Sequence, residues 1–211
     1  MIGVKATRRK AKIYKKDLHA IANAANFSKT IYMKTTFWEI DPAHSEIHFK
    51  IKHLVISTVT GAFRLFKGTL QTNHKEIFND ATIDLTIDTY SLDTNETDRD
   101  EHLKSPEFFN ADQFPEITFK STSLVHKSGD EYVLQGDLTL KGTTKNITLQ
   151  ALFGGELKDG FGRYRAGFEV NGSIRRHDFN IVYDGITEGG GLVLGEEVKI
   201  AANIQFVKME K

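Results

Sequence analysis

The sequence predicts an all-β domain, an eight-stranded antiparallel barrel with one short helix, and three observations carry that expectation. First, Ile47, Phe49, Ile51 and His53 alternate with His48, Lys50 and Lys52. A period of two gives an extended strand one apolar face and one charged face. Second, the alternation recurs in every later β segment, with turn-like separators such as Lys127-Ser-Gly-Asp130, Lys141-Gly-Thr-Thr144 and Lys158-Asp-Gly-Phe-Gly162. Third, one stretch near 93–114 breaks the pattern with helix-forming residues.

The chain becomes β throughout from Met33. The first strand spans 45–55. Residues 58–72 follow, with Phe63 and Leu65 on one face, Arg64 on the other, and Gly61 and Gly68 as bend or bulge points. Over 81–88, Ile83, Leu85 and Ile87 point in and Thr82, Asp84, Thr86 and Asp88 point out. Asn95 to Ser105 favours a helix at about 96–104, limited by Pro106 and then Pro115, with Phe108 and Phe109 tucked beneath it. Strands resume over 116–126, which aligns Ile117, Phe119, Ser121, Ser123 and Val125. Residues 131–141 align Tyr132, Leu134, Gly136, Leu138 and Leu140, and 144–153 align Ile147, Leu149, Ala151 and Phe153. The last two strands, 164–174 and 197–208, align Tyr164, Ala166, Phe168, Val170, Gly172 and Ile174, then Val198, Ile200, Ala202, Ile204 and Phe206.

Short connections make successive strands antiparallel, up-and-down neighbours. One short helix cannot cover the apolar face of eight strands, so two sheets stack or one sheet closes on itself. Closure is favoured: eight strands enclose an interior that side chains just fill or that holds one small ligand. Strands of roughly 10–12 residues run about 33–40 Å. Small inward residues (Gly136, Ala151, Ala166, Gly172, Ala202) suggest leftover volume in that tube.

Composition narrows the function classes. The 211 residues carry a formal net charge of zero, so no global field favours nucleic acid or an acidic substrate. The zero hides an asymmetry, +7 over 1–32 and −7 over the rest. The basic stretch 1–32 suits a short helix from about Lys10 to Ala25; a membrane or nucleic-acid arm is one reading, and a weakly ordered extension ahead of a 33–211 barrel domain is preferred. The absence of cysteine excludes disulfides, thiolate nucleophiles and Cys-based metal sites. No run approaches the roughly 18 apolar residues of a membrane span, and Leu18 to Ala25 is interrupted by His19 and Asn23, unlike a signal peptide. A soluble, cytoplasmic protein is expected.

Several blocks, in order, resemble the YceI-like family of polyisoprenoid- and lipid-binding proteins. They are Trp38-Glu-Ile-Asp41, His44-Ser45, Phe49-Lys-Ile-Lys-His-Leu54, Val59-Thr-Gly-Ala-Phe63, Asp100-Glu-His-Leu-Lys-Ser-Pro-Glu-Phe-Phe109, Phe114-Pro-Glu-Ile-Thr-Phe119, Leu134-Gln-Gly-Asp-Leu-Thr-Leu-Lys-Gly142 and Arg175-Arg-His-Asp-Phe-Asn180. The resemblance covers about 37–207. It implies a lipocalin-like barrel enclosing a long isoprenoid or fatty-chain lipid, usually as a homodimer. Many members are exported, which makes the periplasm the family-based alternative for location. Residues 1–32 have no counterpart in it.

The expected lining of the lumen is Ile47, Phe49, Ile51, Phe63, Leu65, Ile83, Leu85, Phe119, Leu134, Leu138, Leu149, Phe168, Val170, Ile200 and Ile204. Its other reading is a filled core. Ten methylenes at about 0.8 kcal/mol each give about 8 kcal/mol, against an association cost of roughly 4–15 kcal/mol, so only a long chain binds well. Phe108 and Phe109 either cap the mouth or pin the helical loop. His53 has inward parity, unlike His48, and either meets a head group or satisfies a neighbour such as Ser57. His44 and His48 lie about 13 Å apart on a strand, too far for one metal ion.

Asp98, Asp100, Glu101 and His102 form the richest acid–base cluster, with Asp100 and His102 as the start of a rival enzyme reading. As helix N-terminal acids and solvated charges they need no such role. Arg175 or Arg176 is expected to pair with Asp178, and Gly185, Gly189, Gly190, Gly191 and Gly195 to form a loop at the barrel rim. The favoured function is sequestering or carrying one long apolar lipid (a polyisoprenoid, an isoprenoid quinone, or a fatty acid or amide), without chemistry, cofactor, metal or nucleic acid, and with transient membrane contact. The rivals are a lipid-modifying or hydrolytic enzyme using Asp100 and His102, and a packed interaction scaffold.

Overall fold

The computed structural model describes residues 35–73, 78–185 and 193–210. The expected extension 1–32 with its basic helix, and Gly189, Gly190 and Gly191 of the rim loop, lie outside those residues. Strand segments β1 (Thr36–Ile40), β2 (Glu46–His53), β3 (Ser57–Phe63), β4 (Phe66–Thr72), β5 (Thr82–Asp88), β6 (Leu92–Asp93), β7 (Glu116–Ser128), β8 (Glu131–Leu140), β9 (Thr143–Lys158), β10 (Tyr164–Arg175) and β11 (Leu194–Lys208) form one sheet. Helix α1 (Thr97–Lys104) is the one α-helix among the described residues and falls where the sequence expects it. Glu96 caps it, accepting from the Asp98 and Arg99 amides.

The ring runs β1-β4-β5-β7-β8-β9-β10-β11 and closes from β11 back to β1. β2, β3 and β6 continue β1, β4 and β5 past an interruption, so the eleven segments are eight antiparallel staves. The three interruptions line up as one crease. At the first, Asp41 accepts from the Ala43 amide while Pro42, which has no N–H to give a ladder, opens a 3₁₀ turn. At the second, the Arg64 amide donates to the Ser91 carbonyl and the Asp88 amide to the Leu65 carbonyl, which ties it to the third, the 3₁₀ turn Thr89–Ser91.

Closure depends on β11. One edge pairs with β10 from Glu197 to Val207, and the other is shared. Leu194–Asn203 pairs with β2, and Phe206–Lys208 with β1. Gln205 stitches the crease between them, accepting from the Asp41 amide at 2.8 Å and donating to Ser45 Oγ at 2.9 Å.

One end of the barrel is plugged by aromatic side chains. Phe78 lies 5.6 Å from Trp38, 5.4 Å from Phe153 and 5.2 Å from Phe168, ring centre to ring centre. Beside this end, Arg165 on β10 donates to Asp41 at 2.6 Å and to Asp159 at 2.7 Å, joining the crease to the β9–β10 turn. The Arg165 guanidinium, with the Arg163 and Phe161 amides, holds the Asp159 carboxyl at about 2, below its ordinary 3.8.

Four expectations change. Residues 58–72 are two segments, and Leu65 sits at the break, 61% exposed, instead of lining the lumen. In β7 the register shifts between Ser121 and Ser123, so Leu124 turns in and Val125 out, the reverse of strict alternation. Tyr164 begins β10 outside the core, with Lys158 and Lys208 over its ring. The glycines do not leave free volume. A Cβ on Gly136 would stand 2.3 Å from the Phe119 ring and 2.6 Å from the Lys120 carbonyl, and one on Gly172 2.4 Å from Leu149. Each glycine is a notch that receives the neighbouring strand's side chain.

Two outcomes test this packing. Gly136→Ala, facing a backbone carbonyl that cannot rotate away, lowers unfolding free energy by about 1–3 kcal/mol in urea titration. The folded Asp159 carboxyl holds its proton less tightly than the unfolded one, so it favours the native state above 3.8 and loses that contribution as pH falls towards about 2. Thermal melts of Asp159→Asn against pH therefore fall less steeply in that window than those of the wild-type chain.

Candidate functional site

The staves enclose a cavity of about 610 Å³, within the roughly 300–1,000 Å³ of small-molecule sites. Its residues come from every stave, which the inward parity of the strands requires. Apart from His48, His53, Asp98, Arg99, His102 and Arg176, its lining is apolar or aromatic. Ile47, Phe49, Ile51, His53, Phe63, Ile83, Leu85, Phe119, Leu134, Leu138, Leu149, Phe168, Val170, Ile200 and Ile204 all face it, as do Phe108 and Phe109. Leu65 does not. His48, expected to point outward, also borders the cavity while its ring bonds Glu46.

The end away from the Phe78 plug carries the polar groups, and two segments cover it. The first is α1 with the turn after it. Phe109 packs 5.8 Å from Phe63 and 6.4 Å from Phe49, so it both pins this segment to β2 and β3 and faces the lumen. The second is Arg176–Gly185, after β10. Phe108 and Tyr183 stack 4.9 Å apart across the two segments, with His102 5.0 Å from Phe108. Lys141, in the β8–β9 turn, donates to the Pro106 carbonyl at 2.9 Å and the Asn180 carbonyl at 3.0 Å, one from each segment. Burial lowers the pKa of its ammonium, which these two carbonyls nevertheless solvate.

Arg176 is the main polar determinant of the mouth. It is 2% exposed, and its guanidinium donates to the Gly195 carbonyl at 3.0 Å, the Ile181 carbonyl at 2.8 Å and Asp184 at 2.8 Å. That fork ties the end of β10 to Ile181, Asp184 and the start of β11. Arg176, with His177, draws the Asp184 carboxyl below its ordinary range. The expected Asp178 partnership is therefore corrected: Arg176 reaches Asp184 and Arg175 reaches Glu196. The 3₁₀ turn Arg176–Phe179 separates neighbours in sequence and brings residue 184 back instead. Strand parity contained the signal for Arg176, since it falls two residues beyond Ile174 on the inward series.

Asp100 and His102 bond different partners rather than each other. Asp100 accepts from the Thr94 amide at 2.8 Å and from the Thr94 hydroxyl, which in turn accepts from Arg99 Nε at 2.7 Å. His102 Nε2 bonds Glu107 instead. The carboxylate thus fixes the loop entering α1, and the imidazole fixes the loop leaving it. His53 lines the mouth, and its carbonyl, not its ring, accepts from Ser57 Oγ at 3.0 Å. The arrangement suits burial of a long apolar chain with its polar end among His53, Asp98, Arg99, His102 and Arg176.

A family model described as a YceI-like domain matches residues 38–206. Protein YceI of Salmonella newport (strain SL254) and Protein YceI of Escherichia coli O6:H1 are each 46% identical over 141 residues, 67% of this chain and 73% of theirs. The crystal structure of the Campylobacter jejuni YCEI protein matches with a TM-score of 0.65 at 29% identity, covering 76% of this chain and 91% of that one. Burkholderia cenocepacia BcnA (TM-score 0.67, 22% identity, 79% and 98% covered) shares the fold. So does a polyisoprenoid binding domain from Saccharophagus degradans (0.61, 16%, 80% and 97%).

Replacing the guanidinium tests the architecture of the mouth. Arg176→Met strands two carbonyls and lowers stability by about 2–4 kcal/mol in urea titration. Hydrogen exchange then rises first in 176–185 rather than at the plugged end.

Proposed function

The chain belongs to the YceI-like family, and from that premise we propose that it binds one long-chain apolar lipid in the lumen of its barrel, to sequester or carry it. The single observation that carries this reading is the cavity of about 610 Å³, apolar along its length and polar at one end. Burial supplies the affinity at about 0.8 kcal/mol per methylene, which selects chains of about 20 carbons or more over short ones. The head group stays at the mouth, where Arg99, His102 and Arg176 line the cavity. The polyisoprenoid-binding description of the Saccharophagus degradans domain supports an isoprenoid as the ligand class. The proposal extends to a homodimer, on the family resemblance alone.

Catalysis forms no part of the reading. Asp100 and His102 are each engaged by a different loop residue, Asp100 is not among the cavity-lining residues, and the lining side chains are overwhelmingly hydrocarbon. Binding energy here has no reacting bond to act on.

Native mass spectrometry of the purified chain, followed by solvent extraction, tests the proposal. The expected result is one long-chain lipid per protomer, released only on denaturation. A bare protein mass, with no uptake of added isoprenoids or fatty amides, would sink it. Leu138→Trp, which fills the lumen from β8, lowers retained lipid by tenfold or more, equivalent to about 1.4 kcal/mol. Asp100→Ala leaves lipid retention unchanged in the same assay.

A further inference from the structure

We propose that the β2–β3 turn, Leu54-Val55-Ile56, is a membrane-docking tip that seats the mouth of the cavity on a lipid bilayer. Val55 is 76% exposed, Ile56 87% and Leu54 37%. A hairpin turn is ordinarily built from Gly, Asn or Asp, which tolerate positive φ. Here Leu54 and Val55 hold φ of 51° and 66°. For a β-branched residue that backbone is strained. Burial within the chain does not account for Val55 and Ile56, and local backbone preference does not account for Leu54 and Val55. An apolar phase outside the chain does.

The tip is continuous with the mouth. The Leu54 amide donates to the Val193 carbonyl at 2.8 Å, and the Val193 amide to the Gly185 carbonyl at 2.9 Å. His53, Val193 and Leu194 line the cavity, and Val182, 61% exposed, belongs to the segment that covers it. Charge on the outer wall below the tip suits anionic head groups. Lys50 stands opposite Lys199 across the β2–β11 ladder, a like-charge pair that opposes the sheet. Neither they nor Lys52 form an ion pair among the described residues. Glu196, in the adjoining β11 bulge, is engaged by Arg175 and His177, and Glu197 stands opposite Arg175 on β10 rather than opposite these lysines.

An apolar tip flanked by lysines fits the boundary between acyl chains and phosphates. The exposed apolar tip beside lysines without ion-pair partners among the described residues makes a bilayer the occupant, and the same rim would let a water-insoluble chain move from membrane to lumen without crossing solvent. That delivery role rests on the lipid-binding reading. The docking does not.

The test compares the full chain with Val55→Asn/Ile56→Asn by co-sedimentation with vesicles of phosphatidylcholine, alone and mixed with phosphatidylglycerol. Asn adopts positive φ readily, so the variant melts at or above the wild-type temperature and keeps its equilibrium uptake of a long-chain isoprenoid alcohol from detergent. Ile56→Ser, which leaves the strained positions untouched, is the second variant. Partition of both variants onto both kinds of vesicle falls, by about tenfold for the double variant, and extraction of the isoprenoid from vesicles slows with it. Equal partition of wild type and variants overturns the proposal. So does binding confined to phosphatidylglycerol vesicles and indifferent to the substitutions, which a basic N-terminal segment alone would give. A change in oligomeric state by sedimentation velocity, with vesicle binding unmoved, assigns the tip to contact between copies and overturns it too. Failure of detergent uptake by all three proteins refutes the lipid-binding reading and leaves the vesicle comparison to decide docking.

Discussion

The structure depends on the closing ladder of β11. An apolar cavity persists inside a sheet only if every wall backbone group is paired, because an unpaired amide facing hydrocarbon costs several times what a made hydrogen bond contributes. β11 meets that demand at the seam, with one edge on β10 and the other divided between β2 and β1. The interruption at Asp41–Ser45 would leave a hole opposite Gln205, and Gln205 fills it with bonds to the residues on either side. The family blocks around Asp41 and His44-Ser45 thus have a structural reason.

The crease also decides where the lumen ends. On one side β1 and β4 belong to the sealed half of the ring, with Trp38 and Leu70 under the Phe78 plug. On the other, β2, β3 and the short β6 make a leaf beyond which α1 and the turn after it take over the wall through Phe109. A wall made partly of side-chain packing is easier to open than one made of ladder bonds. The mouth therefore lies at this end, where Lys141 and the Phe108–Tyr183 stack join the two covering segments. Arg176 lets this end be polar without being wet: it is buried, yet its guanidinium is bonded on three sides.

Strand identity was legible in the sequence because it is local. Side-chain parity alone separates Ile47, Phe49 and Ile51 from Lys50 and Lys52, and Pro106 with the acidic turn after Asn95 marks α1 without tertiary help. Parity carried through to the cavity, so nearly every predicted lining residue faces it. Leu65 and Val125 fail for one shared reason. A break or a bulge shifts parity by a residue, and what places it is the partner strand: Ser91 and Asp88 at the crease, Gly136 and Gln135 opposite the bulge.

The sequence by itself determined the class of wall, its eight staves, the helix α1 beside it and the greasy sense of its inner face, since each follows from the residue pattern within about ten positions. Only the tertiary structure decided how that wall closes, which glycines are notches filled by Phe119 and Leu149, and that Arg176 turns away from Asp178 to Asp184. Those outcomes depend on which surfaces meet across the ring. Residues such as Ser45 and Gln205, 160 positions apart, carry no mark of each other until the sheet has closed.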